Sequence, residues 1–444
     1  MHRTLILKHT WPIAVFLCAL AVLAAPSYAG DWPGWRGPNH DGSTEEMNLP
    51  AAWGSTENLV WSVALPGISS ATPAVWGDRV FVSTNNASRD KLSALCIDKN
   101  SGEVLWTKQL VDGGWTNARN DAASPSPVTD GERVYFLFGT SDLFALDLEG
   151  NTVWSKHIDT EYGPITPNWG YGSSPLLLDG RLIIPVLRGQ WKSGIGMMEH
   201  TDDDSYVLAL DAKTGEKEWK VHRPSDAVGE SFDSYGTPIP FESGGKTTIL
   251  IQGGDYLTAH DPATGKELWR QFHNPRQGRT DRLIPSPVIG GGMVYGIQAR
   301  GLDVFAVKPG KQAQIPYEDS EWIFKGRTAD VPTPLYYQDR LYVLNGAVKR
   351  MYCINPKNGK LIWEGELGAS ARIWSSPTAA DGKIYCLDEK GQLIVIAAGD
   401  KFEVLSRGNI GGGPCKSSVA IADSKLFIRT GDTLYCVASA QAGG

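Results

Sequence analysis

The sequence predicts an all-β fold: an eight-bladed β-propeller of four-stranded antiparallel blades, closed by an N-terminal strand. Three observations carry this. An AxDxxTGxxxW pattern recurs along the chain. A Ser-Pro or Thr-Pro pair alternates with it. One strand near the N-terminus has no repeat of its own to complete.

The first pattern is complete from Ala209 to Trp219 and from Ala259 to Trp269. Cys96 to Trp106 carries Cys for Ala and Ser for Thr. Cys353 to Trp363 substitutes Cys, Asn355 and Asn358, and Ala145 to Trp154 lacks one residue. Ala306 to Trp322 and Ile396 to Leu405 are degenerate copies in the same frame. Its Thr-Gly step reads as a tight turn, with Gly where φ is positive.

The second signal falls at Thr72-Pro73, Ser126-Pro127, Ser174-Pro175, Thr237-Pro238, Ser286-Pro287, Thr333-Pro334 and Ser376-Pro377, with a weaker eighth copy at Ser417-Ser418. A turn and a β-rich run follow, such as Arg79-Val80-Phe81-Val82 or Arg340-Leu341-Tyr342-Val343. Each repeat therefore holds four strands. Strand A follows the Ser-Pro, B is the Arg-Val-Tyr-Val type, C ends in Ala-x-Asp, and D carries the Trp. A lone blade exposes both faces, and only stacking in a ring buries them. The last repeat ends without a D strand. Leu59-Val60-Trp61-Ser62-Val63 can supply it and close the ring.

Composition narrows the function. The 444 residues carry a net charge of −7 and are 41% hydrophobic and 20% charged, which excludes a disordered chain. No cluster of Lys and Arg follows residue 10, so nucleic acid is not an expected partner. Arg3 and Lys8 precede an apolar run from Ile13 to Ala25, and Ser27-Tyr28-Ala29 offers small residues for cleavage. Residues 1–29 are read as a secretory signal, 30–58 as an N-terminal extension, and 59–444 as the propeller. Leu17 before Cys18 does not suit a lipidation site. The run is too short to span a bilayer and no later one could, so a periplasmic or secreted protein is expected. Cys18 leaves with the signal. Cys96, Cys353, Cys386, Cys415 and Cys436 remain, without a CxxC or an adjacent pair.

The repeat, together with Trp32-Pro33-Gly34-Trp35-Arg36-Gly37-Pro38 and Asp41-Gly42, resembles the pyrroloquinoline quinone (PQQ)-like propeller family. That family contains PQQ enzymes, non-enzymatic BamB-like relatives and planctomycete-type propellers. The resemblance implies that the motif Trp docks between blades, which makes Trp106, Trp154, Trp219, Trp269, Trp322 and Trp363 structural. It places Cys96, Cys353 and Cys436 at the Ala position as small buried residues; a disulfide among the late cysteines stays open. PQQ dehydrogenases of the family hold Ca²⁺ through a Glu and an Asn, with an Asp as base, and many carry a vicinal disulfide. Here there is no Cys-Cys, and the Glu-Asn-Asp set does not map.

Loop lengths point to a face. In a blade, the D-A and B-C connections share one side. The D-A connections Trp106 to Pro127, Trp154 to Pro175, Trp219 to Pro238 and Trp269 to Pro287 are long, and Arg188 to Asp204 is a long B-C insertion. Loops on a rigid scaffold carry function. The residues before each Ser-Pro are expected to rim the central funnel. They include Asn120, Asp121, Asn168, Trp169 and Tyr171. Further round they include Asp233, Tyr235, Asp281, Arg282, Arg372 and Trp374. Aromatic rings mixed with Asn, Asp and Arg suit a polar ligand or a peptide segment. Asp202 and Asp204, beside Glu199-His200, are weak calcium candidates whose spacing fits no calcium loop. No GxSxG, P-loop or His metal spacing occurs.

The expected function is an exported, non-catalytic binding or scaffold propeller without a cofactor, meeting a protein or glycan partner on the long-loop face. The alternatives are a PQQ-dependent dehydrogenase with Ca²⁺, which would turn to Asp121, Asp233 and Asp281, and a carbohydrate-binding or carbohydrate-active propeller.

Overall fold

A computed structural model describes residues 30–54, 57–117, 119–189, 205–309, 313–326 and 328–439. Eight antiparallel sheets form the blades of a propeller. Blade 1 runs Ala74–Trp76, Arg79–Asn86, Lys91–Asp98 and Val104–Asp112. The same order repeats to blade 7, Thr378–Ala380, Lys383–Leu387, Gln392–Ala397 and Val404–Asn409. Blade 8 draws Ala420–Ala422, Lys425–Arg429 and Thr433–Ala438 from the C-terminal end and Leu59–Ala64 from the N-terminal end. The leftover D strand thus closes the ring. Blade 4 gains a short fifth strand, Gln314–Ile315, parallel to Glu267–Phe272.

The AxDxxTGxxxW pattern has a physical meaning in every part. The small residue lies opposite the Trp across strands C and D: Cys96 to Trp106, Ala145 to Trp154, Ala209 to Trp219, Ala259 to Trp269, Ala306 to Trp322 and Cys353 to Trp363. Across the seam, Cys436 of the last repeat faces Trp61 of the first in the same register. The Asp caps its own turn. Asp98 Oδ1 accepts from the Ser101 amide at 2.7 Å, and Asp211 Oδ1 from the Thr214 amide at 2.7 Å. The Trp then reaches the next blade, where its indole N–H donates to the carbonyl after that blade's Asp or Asn. Trp106 donates to Leu148, Trp154 to Ala212, Trp219 to Pro262 and Trp322 to Pro356, at 2.8–3.1 Å. Its ring lies on the turn glycine of that blade: Trp154 on Gly215, Trp219 on Gly265, Trp322 on Gly359. One glycine supplies both the positive φ and the bare surface. Trp269 packs in one apolar cluster with Val294 and Phe305 of blade 5. The five cysteines are free and buried, and burial pushes their thiols up to about 12.

The Ser/Thr-Pro pairs do more than start strand A. Each Ser or Thr hydroxyl accepts a hydrogen bond from the backbone amide of its counterpart one blade earlier. The series runs Thr72, Ser126, Ser174, Thr237, Ser286, Thr333, Ser376, Ser418 and back to Thr72, with N···O distances of 2.8–3.2 Å. The ring is unbroken. Ser418, followed by Val419 rather than Pro, is its eighth member.

Two substitutions separate these contributions. Gly180 and Gly265 have nearly equal φ, +75° and +72°, but a Cβ meets nothing at Gly180 and comes within 2.5 Å of the Trp219 ring at Gly265. Gly180→Ala is expected to cost about 1 kcal/mol from φ alone, and Gly265→Ala about 1–3 kcal/mol more from crowding, read as denaturant midpoints. Ser286→Ala leaves the Thr237 amide unpaired at a buried site. It should cost about 1–3 kcal/mol in the same measurement, while Ser286→Thr, the residue used at three ring positions, should retain most of that stability.

Candidate functional site: the central funnel

The extension read as residues 30–58 crosses the A-B end of the channel. Trp32 bridges Val75 of blade 1, and the Pro33 carbonyl accepts from the Thr129 amide of blade 2. Arg36 is fully buried. Its guanidinium donates to the carbonyls of Pro377 at 2.7 Å, Pro334 at 2.8 Å and Asp41. The first two are prolines of the Ser/Thr-Pro pairs, so Arg36 reaches in from below. Ser43 then bridges Ala379 of blade 7. Trp35, beside Arg36, lines the floor of the channel cavity.

That cavity measures about 190 Å³ and runs from the D-A loops down to Trp35. Six ring hydroxyls form its wall: Thr72, Ser126, Ser174, Thr237, Ser376 and Ser418. A hydroxyl that accepts one amide still has its own proton to donate. Above the ring stand Trp169, Trp374 and Tyr235, with Arg119, Arg282 and Lys416 as cations. Arg119 lies 5.9 Å from both the Trp169 and Trp374 ring centres, and Lys416 Nζ lies 5.9 Å from Trp374. The Trp374 indole N–H is buried and has no hydrogen-bond partner among the described residues.

The expected rim divides in three. Asn120, Trp169, Tyr235, Arg282 and Trp374 line the cavity. Asn120 also ties the rim together, donating to the Gly170 carbonyl at 3.1 Å, while Trp169 Nε1 donates to Glu230 at 2.8 Å. The carboxylates are used up in holding loops. Asp121 accepts from the Ser70 amide and hydroxyl at 3.1 and 2.7 Å and from the Ala123 amide at 2.9 Å. Asp233 accepts from the amides of Asn168 at 3.0 Å and Gly189 at 2.9 Å. Asp281 is paired with Arg276 at 2.6 Å. The last group stands outside the cavity lining. Tyr171 is buried and donates to the Pro185 carbonyl at 2.9 Å; Asn168 and Arg372 are exposed. Asp202 and Asp204 lie outside the described residues. Arg119, Lys416 and Trp35 line the cavity without belonging to the expected rim. Arg119 and Lys416 merely flank residues of the repeat. Trp35 sits in a motif whose contacts are hundreds of residues away.

A second, water-sized cavity of about 10 Å³ lies between Asp255, His273, Asn274, Asp281 and Gln298. Burial raises the Asp255 carboxyl to about 7. Asp226 and Asp281 add to this, while the Asn274 hydrogen bond and Arg223 oppose it. Among the described residues, no group of three His, Cys, Asp or Glu is placed to hold a metal ion.

A ring of TG-turn blades around a plugged funnel defines a PQQ-like propeller repeat protein. The family profile described as outer membrane protein assembly factor BamB matches residues 44–164, 170–322 and 319–403, and the chain belongs to that family. The BamB of Bordetella pertussis is 21% identical over 95% of both chains. The tetrathionate hydrolase of Acidithiobacillus ferrooxidans is 24% identical over 74% of this chain and 52% of its own length. The chain thus spans about half the length of that relative. Europium-containing methanol dehydrogenase has the same fold, with a TM-score of 0.69, 11% identity, and coverage of 91% of this chain and 90% of that one.

The raised Asp255 carboxyl sets a pH dependence. The folded state holds this proton more tightly than the unfolded chain, so its contribution is present below about pH 4 and is lost as pH rises towards 7. Asp255→Asn keeps an acceptor for Asn274 and tolerates the φ of +64°. It should match wild type near pH 4 and exceed its stability by about 1–3 kcal/mol at pH 8, measured by denaturant unfolding at both values.

Proposed function

We propose that this protein is an exported, non-catalytic binding propeller whose funnel receives a ligand or a protruding group of a partner. The observation that carries this reading is the commitment of the three funnel carboxylates. Asp121 and Asp233 accept loop amides, and Asp281 is held by Arg276. None of the three lines this cavity. What faces the ligand is a set of cations, rings and hydroxyls, which recognise and orient rather than abstract protons. Export rests on the charged start, the apolar run and the small residues ending at Ala29. Similarity to BamB along nearly its whole length supports a role in binding.

A dehydrogenase would have to hold its cofactor with the same residues. The aromatic rings and cations at the rim suit a planar acid, but the residues present do not fit PQQ with its metal. A hard cation needs oxygen ligands, and no carboxylate lines the cavity. A dye-linked assay checks this. The purified protein is mixed with PQQ and either Ca²⁺ or a lanthanide, then offered primary alcohols and aldoses. Dye reduction is expected to stay at the level of PQQ and metal without protein. Saturable turnover above that level overturns the non-catalytic reading.

A further inference from the structure

We infer that the funnel ligand is an anionic sugar, a glycan unit carrying a carboxylate or a sulfate. This rests on the binding-propeller reading and names the ligand class. The first argument is charge. The chain holds 49 acidic and 42 basic residues, yet Arg119, Arg282 and Lys416 line the cavity and no Asp or Glu does. Arg119 and Lys416 have no ion pair among the described residues. The two share Trp374, each 5.9 Å from its ring, and Lys416 Nζ donates to the Arg119 carbonyl at 3.2 Å. Two like charges held together without a carboxylate between them repel, and a bound anion would relieve that repulsion. Arg282 differs, since Asp330 at 3.5 Å and Glu230 at 3.9 Å partly neutralise it. The anion-binding pair is therefore Arg119 with Lys416.

The second argument is the rest of the lining. Trp169 and Trp374 stand at the rim and Trp35 forms the floor. Indole faces suit the apolar C–H faces of a pyranose. Between them the six ring hydroxyls, each with a proton to donate, offer closely spaced donors to a polyol. An inorganic anion would leave the rings unused, and a neutral sugar would leave both cations unpaired. An anionic sugar satisfies both, and its hydroxyls also meet the wall hydroxyls that a planar acid would leave unused.

The test is calorimetric titration of the full mature protein, with tryptophan fluorescence in parallel. The ligands are glucuronate and galacturonate disaccharides, glucosamine 6-sulfate, neutral cellobiose, inorganic sulfate and PQQ. At least one acidic sugar is expected to saturate, at least tenfold more tightly than cellobiose and inorganic sulfate, and to weaken as salt rises. The uronates and the sulfated sugar distinguish the two anions. Arg119→Gln and Lys416→Gln should each weaken binding at least fivefold with unchanged melting temperature, because neither bears on the core. Trp374→Phe should weaken it without altering the salt slope. Equal binding of cellobiose, equal binding of sulfate alone, tighter binding of PQQ, or no effect of either charge variant overturns the inference. If no sugar binds and no dye is reduced in the PQQ assay, the ligand class falls and the binding-propeller reading stands. If dye is reduced, both fall.

Discussion

The structure depends on one closed circuit, the ring of hydroxyl-to-amide hydrogen bonds at the start of the eight A strands. Proline follows seven of the eight hydroxyls and has no amide to offer the sheet, so the chain cannot simply continue an ordinary ladder there. The backbone N–H just before each of these prolines must find a partner, and the hydroxyl one blade on supplies it. In this closed circuit each of the eight amides meets a hydroxyl, and none is left without its counterpart. The Trp-on-Gly contacts set the spacing between blades further from the axis, at the C-D turns. Inner and outer constraints agree, and that agreement leaves a channel of defined width.

Most of the fold was legible because both constraints are local in sequence and repeated. The Asp, Gly and Trp of one motif lie within eleven residues, and each does one physical job that only a few residue types can do. The eighth Ser was weaker in sequence because Val419 replaces the proline, yet Ser418 completes the circuit: the hydroxyl, not the proline, is the essential part. Cys436 was readable as a stand-in for Ala, and its partner Trp61 lies at the other end of the chain.

The candidate site was legible in the residues that line the funnel and only partly in their contacts. Aromatic and amide residues at the rim could be named because the repeat fixes where each D-A loop re-enters the ring. The carboxylates turn to the backbone or to a neighbouring cation, as many polar loop residues do. Asp121, Asp233 and Asp281 look reactive in a list of residues, but long loops that lie near a channel have amides to satisfy, and short acidic side chains satisfy them. Arg119 and Lys416 were passed over because no pattern marks them. They matter only because two loops from distant repeats bring both to Trp374.

The N-terminal segment joins these two levels. Leu59–Ala64 closes the outer edge of blade 8, while Arg36, some twenty residues earlier, closes the channel from below. Arg36 binds the carbonyls of the prolines that follow two of the ring hydroxyls. The device that makes the circuit therefore also makes the seat for its plug, and the plug carries Trp35 into the cavity as its floor. A second buried arginine, Arg429 of the last blade, ties the seam by donating to the Ser83 carbonyl of blade 1 at 2.5 Å. The segment that precedes the closing strand thus places Trp35 beneath the cavity, at the end away from the D-A loops. A ligand in the funnel would rest on Trp35, so its binding would favour the state in which the N-terminal segment is seated beneath the ring.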